Sequence, residues 1–580
     1  MKHSTPLLAL ALALAATQAQ AQTIYPLTKA EILSGSKFDF KVDFPGAPAA
    51  SAVKVTINGK DPAQVLGGSV KFTEKEDGLG HSAYIIRDAM LKAPGQYVVE
   101  ASMGDKKSSV KWEVFNPTQR KAKNVILFVG DGLSVAHRTA ARILSKGISE
   151  GKYAGELAMD DMPAMALVST SGTDSVVTDS ANAMSAYATG HKTCVNALGV
   201  YCASNKNTLE HPKVETIAEI VKRKRQMAVG VITNTEIEDA TPAGMVAHTR
   251  RRADFNDIVK MYFDTQPDVM MGGGSPNFLP NSTNGSKRTD NVDYLKKFQD
   301  AGYNLVTTST ELKSAQGNAK TTKLLGLFNT GNVDGVLDRK FLKKGTVDKF
   351  PDQPDLTDQV RASLDILSKN KNGFVLMVES GRVDKYAHSL DAERSIYDTI
   401  MLDNSIKIAK DFANKNKDTL IIVVGDHAHP VSIIGTYDDE RPGTTPREKL
   451  GTYADAKFPN YPAPDADGYP NKVDVSRRLA FIFGSYPDYC TDAKPYMDGE
   501  NVPAIAGATA GTFVANEKYC GKPGAVRITG NLPTDANSGV HAADDVVLTA
   551  MGPGSEKFRG RIDNTRVFRY MAEALGLGGK

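Results

Sequence analysis

The chain lacks an internal repeat, a low-complexity segment and, after its first residues, any apolar run long enough for a membrane anchor. A formal net charge of +3 over 580 residues is small, which argues against nucleic acid or an anionic membrane as the main partner. Only four cysteines occur, with no CxxC pair, so a zinc–thiolate site is a weak reading. Cys194, Cys202, Cys490 and Cys520 permit three pairings; the local ones, Cys194–Cys202 and Cys490–Cys520, close the shortest loops and are expected. Histidines number ten, so their placement is informative. What is present, 41% hydrophobic and 24% charged residues, describes a soluble globular protein too long for one ordinary core.

Residues 1–21 read as a secretory leader: Lys2 and His3, an apolar run from Pro6 to Ala16, and a small-x-small site at Ala19-Gln20-Ala21, with cleavage expected after Ala21. Export to the periplasm or beyond is the expectation, and it suits disulfides. Residues 22–117 carry short alternating segments, among them Phe38–Phe44, Val53–Ile57, Tyr97–Ala101 and Val110–Phe115, which predict a small immunoglobulin-like β-sandwich with an accessory role. A polar linker, Asn116 to Lys123, follows.

From residue 124 to 580 the grammar changes. Asn124–Val129 is a continuous apolar run ending in Gly-Asp131-Gly, as expected of a strand buried on both faces of a parallel sheet. The pattern recurs at Ala228–Thr233 before Asp239-Ala-Thr241-Pro, at Asp268–Met271 before three glycines, at Gly373–Val378 before Glu379, and at Thr419–Val424 before Gly-Asp426-His427. Helical patterns at Leu209–Arg225 and Ala392–Asn414 lie between, and a late strand Val546–Ala550 and a helix Asn564–Leu575 close the chain. This predicts a three-layer α/β domain, a mostly parallel sheet flanked by helices, with a loop-rich insertion at about 430–540. Ligands in such sheets bind beyond the carboxyl ends of the strands.

The stretch Val176-Val-Thr178-Asp179-Ser180-Ala-Asn182 delivers a serine to the start of a small-residue helix. Free N–H groups and the positive helix end there suit a phosphoryl group, although Asp179 or Ser180 could equally be a plain N-cap. Asp384 and His388 are spaced i, i+4 and share a helix face; Asp426-His427 stands at a strand end with His429 two residues on, and His541 precedes the last strand. Singly, these could be a turn residue, a surface pair and a capped loop. Jointly, at one sheet edge, they read as a metal site.

These motifs, with Val378-Glu-Ser-Gly-Arg-Val-Asp-Lys-Tyr-Ala-His388, His248 with Arg252, and Gly539-Val-His541, resemble the alkaline phosphatase family in its exported bacterial branch. They fall in the family's order from about Asn124 onward and leave the N-terminal sandwich outside. The resemblance implies hydrolysis of small phosphate monoesters through a phosphoserine at Ser180, with two zinc ions and one magnesium. It assigns Asp384, His388 and His541 to one zinc, and Asp131, Asp426 and His427 to the second. Asp131, Thr241 and Glu379 fall to the magnesium. Arg252 becomes the phosphate clamp, oriented by Asp179, with Arg250 and Arg251 its rivals by position alone. Asp239 and Lys385 resemble a supporting pair near magnesium and phosphate, and His429 a supporting residue near the first zinc. Ser380 stands where Gly is usual and Ala542-Ala543 where Thr-Gly is common; neither removes a ligand. Family members are often homodimers, but an added sandwich could cover or replace that interface. A phosphodiesterase or sulfatase of the same fold is the nearest alternative, and a phosphate-binding protein without turnover the more distant one.

Overall fold

The structure, a computed structural model, describes residues 21–484 and 486–579. The expected leader therefore lies outside the described residues except for Ala21. Both local disulfides are formed, Cys194–Cys202 and Cys490–Cys520.

The N-terminal segment builds two four-stranded sheets. One runs Thr23–Tyr25, Lys37–Pro45, His81–Met90, Lys71–Thr73; the other Glu31–Leu33, Lys106–Phe115, Gly95–Met103, Val53–Ile57. Phe38, Phe40, Val42 and Phe44 of the first meet Ile57, Val99, Trp112 and Val114 of the second in a single core. Period-two alternation ordinarily leaves its polar face in water. Here Asp39, Lys41 and Asp43, the polar half of the alternation, are buried. Residues 203–215, later in the chain, cover them. Lys41 donates to Glu76 (2.6 Å) and to the Ser204 carbonyl (2.9 Å), and Asp39 accepts from Arg87 (2.6 Å) and from the Lys213 amide (2.9 Å).

That contact also shortens a predicted helix. The helical pattern at Leu209–Arg225 yields a helix only over Ile217–Arg225. Its first residues run extended against the N-terminal unit instead, with Phe38 bridged to Val214 and the Glu215 amide donating to Lys37 O (3.0 Å). Thr216 then caps the helix, its hydroxyl accepting from the Glu219 amide while Glu219 reaches back to the Thr216 amide.

The main sheet has ten strands in the order Asn304–Val306, Leu324–Leu327, Val269–Gly273, Ala228–Glu236, Phe374–Ser380, Asn124–Gly130, Thr419–Gly425, Val546–Met551, Ala164–Ser169, Arg559–Asp563. Only Val546–Met551 runs against its neighbours, so the sheet is mostly parallel as expected. Alternate residues of its central strands point into two separate cores. Val125, Leu127 and Val129 pack with the helices Ser180–Thr189, Ile217–Arg225 and Thr565–Leu575. Ile126 and Phe128 pack with Val135–Lys146, Leu356–Leu367 and the long helix Ala392–Asn416. Burial on both faces is why these strands read as unbroken apolar runs.

Residues 431–529 form three small sheets joined by loops. This part meets the main domain beside the strand ends: Ser389 donates to Glu500 (2.9 Å), and the Asn501 amide to Asp391 (3.1 Å). No helix among the described residues is long and apolar enough to cross a membrane.

Candidate active site

Three adjacent central strands bring the chemistry together by register. Gly130 pairs with Gly425 and with Ser380, so Asp131 and Asp426, each one residue beyond, emerge at the same level. Glu379 lies opposite Val129 on one side and Thr233 on the other. Thr233 and Thr235 both donate their hydroxyls to Glu379 Oε2, the latter at 3.0 Å. The short helix Arg382–His388 follows and places Asp384 and His388 one turn apart over the same edge. Gly132, with φ +65°, lets His429 close over this edge; a Cβ there would stand 2.5 Å from the His429 ring.

Ser180 opens the helix Ser180–Thr189, delivered by a loop. Asp179 is its N-cap, so the plain capping role is real. It does not exhaust the residue. Oδ1 accepts from the Asn182 amide (3.1 Å), while Oδ2 accepts from Arg252 Nη1 (3.2 Å). Arg252 also donates to Asp239 (2.7 Å), and Asp239 pairs with Lys385 (2.8 Å). Among the three neighbouring arginines only Arg252 reaches this group: Arg250 donates to Val195 O, and Arg251 pairs with Asp254. His248 also stays out of the site, bonded to Gly199 O (3.0 Å) and Glu219 (3.1 Å).

Ser180 Oγ stands 3.2 Å from His427 Nε2 and 3.4 Å from Asp131 Oδ1. His427 Nε2 is in turn 3.2 Å from Asp131 and 3.3 Å from Asp426. Ligand atoms of Asp131, Asp426 and His427 all lie within 4.8 Å of one another, as do those of Asp384, His427, His429 and His541. His388 Nε2 joins the second group, 3.3 Å from Asp384 and 3.1 Å from His541 Nε2. His388 and His541 each donate Nδ1–H to a backbone carbonyl, of Gly539 (2.6 Å) and Thr178 (2.8 Å). That fixes a proton on each Nδ1 and turns both Nε2 atoms toward Asp384, at 3.3 and 3.4 Å. His429 differs: its Nε2 is 2.6 Å from Asp384 Oδ1, the geometry of an orienting bond on the carboxylate. Of the polar atoms here, Thr241 Oγ1, Asp426 Oδ2 and His427 Nδ1 are buried without a hydrogen-bond partner.

The electrostatics are those of a site short of positive charge. Burial, then Asp384, pushes the Asp131 carboxyl up to about 7. Burial and Asp131 push Glu379 up to about 8. Asp426 is raised by burial and by Asp131. Burial holds His427 and His429 below the usual imidazole range, so both are neutral lone-pair donors at pH 7. Asp384, Asp239 and Arg252 behave differently: against its burial, His388 with His429 and His541 holds the Asp384 carboxyl well below the usual carboxylate range. Against the burial that opposes them, Lys385 and Arg252 hold Asp239 down, and Asp239 and Asp179 hold Arg252 up. The structure thus gathers four carboxylates, Asp131, Glu379, Asp384 and Asp426, and four imidazoles, His388, His427, His429 and His541, at the edge that carries Ser180, and beside them the ion-pair chain Asp179–Arg252–Asp239–Lys385.

The two departures are accommodated. Ser380 is buried with its hydroxyl on Asp398 O (3.3 Å), and the Ala542 amide bonds Ala428 O (2.8 Å). Three residues of the surroundings are not among the candidates that the sequence offers. Asn182 completes the cap of the Ser180 helix by accepting from the Asp179 amide (2.9 Å). Its position three residues after the cap is the signal that could have found it. Thr233, one strand away in register with Glu379, and Asn196, which donates its amide to Asp179 Oδ1 (3.2 Å), carry no local signal.

Residues 122–577 match the profile of the family described as alkaline phosphatase. Alkaline phosphatase 3 of Bacillus subtilis is 30% identical over 82% of this chain and 92% of its own length. The alkaline phosphatase of Escherichia coli is 32% identical over 57% of this chain and 74% of its own. The crystal structure of Thermus thermophilus alkaline phosphatase superposes with a TM-score of 0.56 at 26% identity, covering 80% of this chain and 93% of that one. The chain belongs to the alkaline phosphatase family and is a phosphomonoester hydrolase.

Proposed function

We propose that Ser180 is the nucleophile of this hydrolase and that the reaction passes through a phosphoserine. The observation that carries the reading is the position of Ser180 Oγ, at a helix N-terminus and 3.2–3.4 Å from His427 and Asp131. Arg252 offers a planar fork to two phosphoryl oxygens, and Asp179 and Asp239 hold that fork still. The Ser180 oxygen forms a bond to phosphorus as the ester oxygen leaves, and the serine proton ends on the departing alcohol. Water then takes the phosphoryl group from Ser180, restoring its hydroxyl and releasing inorganic phosphate. Lys385, paired to Asp239, adds a fixed positive charge beside the phosphate.

The donor set fits two zinc ions and one magnesium. Asp384, His388 and His541 would hold one zinc, and Asp131, Asp426 and His427 the other, nitrogen and oxygen donors suited to that ion. Asp131, Thr241 and Glu379 would hold magnesium, all hard oxygens. The orphaned Thr241 Oγ1 and Asp426 Oδ2 support this, as do the raised carboxyls. When bound, such ions stabilise charge on the entering and leaving oxygens and favour the ionised form of an oxygen nucleophile.

Residues 22–117 we read as an immunoglobulin-like accessory domain ahead of the catalytic domain at 124–580. The protein we take to be exported, a reading the two disulfides support. The test of the nucleophile is Ser180→Ala. Turnover is expected to fall by at least about 10⁴-fold, with inorganic phosphate still bound, and the phosphoserine trapped on wild-type Ser180 is expected to be missing. Near-normal turnover in that variant would remove Ser180 from the reaction.

A further inference from the structure

The loop closed by Cys194–Cys202 lies between the two halves of the proposed phosphate clamp. It runs against the arginine segment: Leu198 and Thr249 exchange both backbone hydrogen bonds (2.8 and 2.9 Å), and the Arg252 amide donates to Asn196 O (2.8 Å). On its other side it meets the helix that begins with Ser180. Ser185 Oγ donates to Ala197 O (3.1 Å) and accepts from the Gly199 amide (3.0 Å). Asn196 is the crossing point. Its backbone amide donates to Asp179 Oδ1 and its carbonyl accepts from the Arg252 backbone amide, so one residue holds both the Asp179 carboxylate and the main chain of the arginine that this carboxylate orients. It does so from the left-handed region, φ +69°, which Asn and Gly adopt readily and β-branched residues do not.

The far end of the loop is fixed twice. The disulfide ties Cys202 to Cys194, and Tyr25 of the N-terminal unit donates its hydroxyl to Cys202 O (3.0 Å) with its ring against Tyr201. The N-terminal unit therefore touches the element that touches the clamp.

We propose that the Cys194–Cys202 loop sets the position of Arg252 against Asp179, with Asn196 as the positioning residue and the disulfide and Tyr25 as its anchors. This rests on the reading of Arg252 as the phosphate clamp. Asn196 touches no substrate in this scheme; it acts only through Asp179 and Arg252.

The experiment measures the inhibition constant of inorganic phosphate on the metal-loaded full-length enzyme, together with zinc and magnesium content and thermal midpoint. The variants are Asn196→Val, Asn196→Gly, the pair Cys194→Ala/Cys202→Ala, Arg252→Ala, and Arg252→Ala/Asn196→Val. Asn196→Val is expected to weaken phosphate roughly tenfold, the scale set by forcing a β-branched residue into a left-handed turn. Asn196→Gly is expected to stay within about twofold, because glycine keeps the turn and both backbone bonds. The cysteine pair is expected to weaken phosphate in the same direction with metal content unchanged. In the Arg252→Ala background, Asn196→Val is expected to add nothing.

If Arg252→Ala weakens phosphate and Asn196→Val does not, the positioning role is overturned while the clamp stands. Equal damage from Asn196→Gly and Asn196→Val, or loss of metal in step with loss of phosphate binding, also overturns it. If Arg252→Ala itself leaves phosphate binding unchanged, the clamp reading fails, and the inference with it.

Discussion

The N-terminal unit and the strand-end edge both bury charge, and they settle it in opposite ways. Under the N-terminal sheet, Lys41 is fully buried but gives its ammonium to Glu76, Asp43 and the Ser204 carbonyl, and Asp39 is met by Arg87 and two amides. Each of these charged groups meets an opposite charge supplied by the chain, Asp43 Oδ1 lying 3.1 Å from Lys41 as an ion pair without a hydrogen bond. At the strand ends, Asp426 and Glu379 both face Asp131, and Thr241 and Asp426 keep buried oxygens without hydrogen-bond partners. Buried charge alone therefore does not mark a site. Burial costs several kcal/mol per ion unless it is compensated, and what distinguishes the strand ends is that the chain leaves the compensation to something else.

That contrast can be broken or sharpened in several ways. The largest effect is expected from Asp131→Ala, which removes the carboxylate common to two proposed ion sites. Turnover should fall by at least about 10³-fold, beyond the loss of a single oxyanion donor. Zinc and magnesium content, measured by elemental analysis, should fall together; full retention of both would mean that Asp131 is not shared. Arg252→Ala comes next. It should weaken phosphate binding by roughly tenfold to a hundredfold, as for truncating one partner of a buried charge pair, with zinc retained. Loss of zinc in its place would move Arg252 out of the clamp.

Lys41→Met tests the other side of the comparison. It leaves buried Asp43 and half-buried Glu76 without their cation, so a loss of about 3–5 kcal/mol is expected, while metal content stays intact. Trp112, the only tryptophan of the chain, sits in the core of the N-terminal unit and reports its unfolding by fluorescence. An unchanged transition would show that this charge cluster holds nothing together.

The smallest effect concerns Glu393, at the start of the long helix. Burial, then Asp391, pushes its carboxyl up to about 7. A carboxyl raised on folding contributes stability that is complete below its unfolded value near pH 4 and is lost as pH rises through about 7. Glu393→Gln removes that dependence. Relative to the wild type it should gain about 1–2 kcal/mol between pH 5 and pH 8 in denaturant unfolding. Parallel stability curves would contradict the shift.

How much of this could be read beforehand follows from how the fold encodes it. Strands buried on both faces must be apolar throughout, so Asn124–Gly130, Phe374–Ser380 and Thr419–Gly425 stood out, and the polar residues ending them stood out with them. Short strands such as Leu324–Leu327 and Ala164–Ser169 offered too few residues to be distinguished. The helix at Ile217–Arg225 is shorter than its sequence pattern because the preceding segment pairs with a sheet from another part of the chain. Choosing Arg252 over Arg250 and Arg251 needed the tertiary placement of Asp179 and Asp239. Asn196 acts through its backbone, which no side-chain pattern reveals.

The most direct test is metal content with p-nitrophenyl phosphate turnover, before and after chelation and after adding zinc and magnesium back. Stripped protein is expected to lose turnover by at least about 10³-fold, with Trp112 fluorescence unchanged, and to regain it when both ions return. Turnover that survives complete removal of metal would contradict the view that the strand-end carboxylates and imidazoles exist to hold cations.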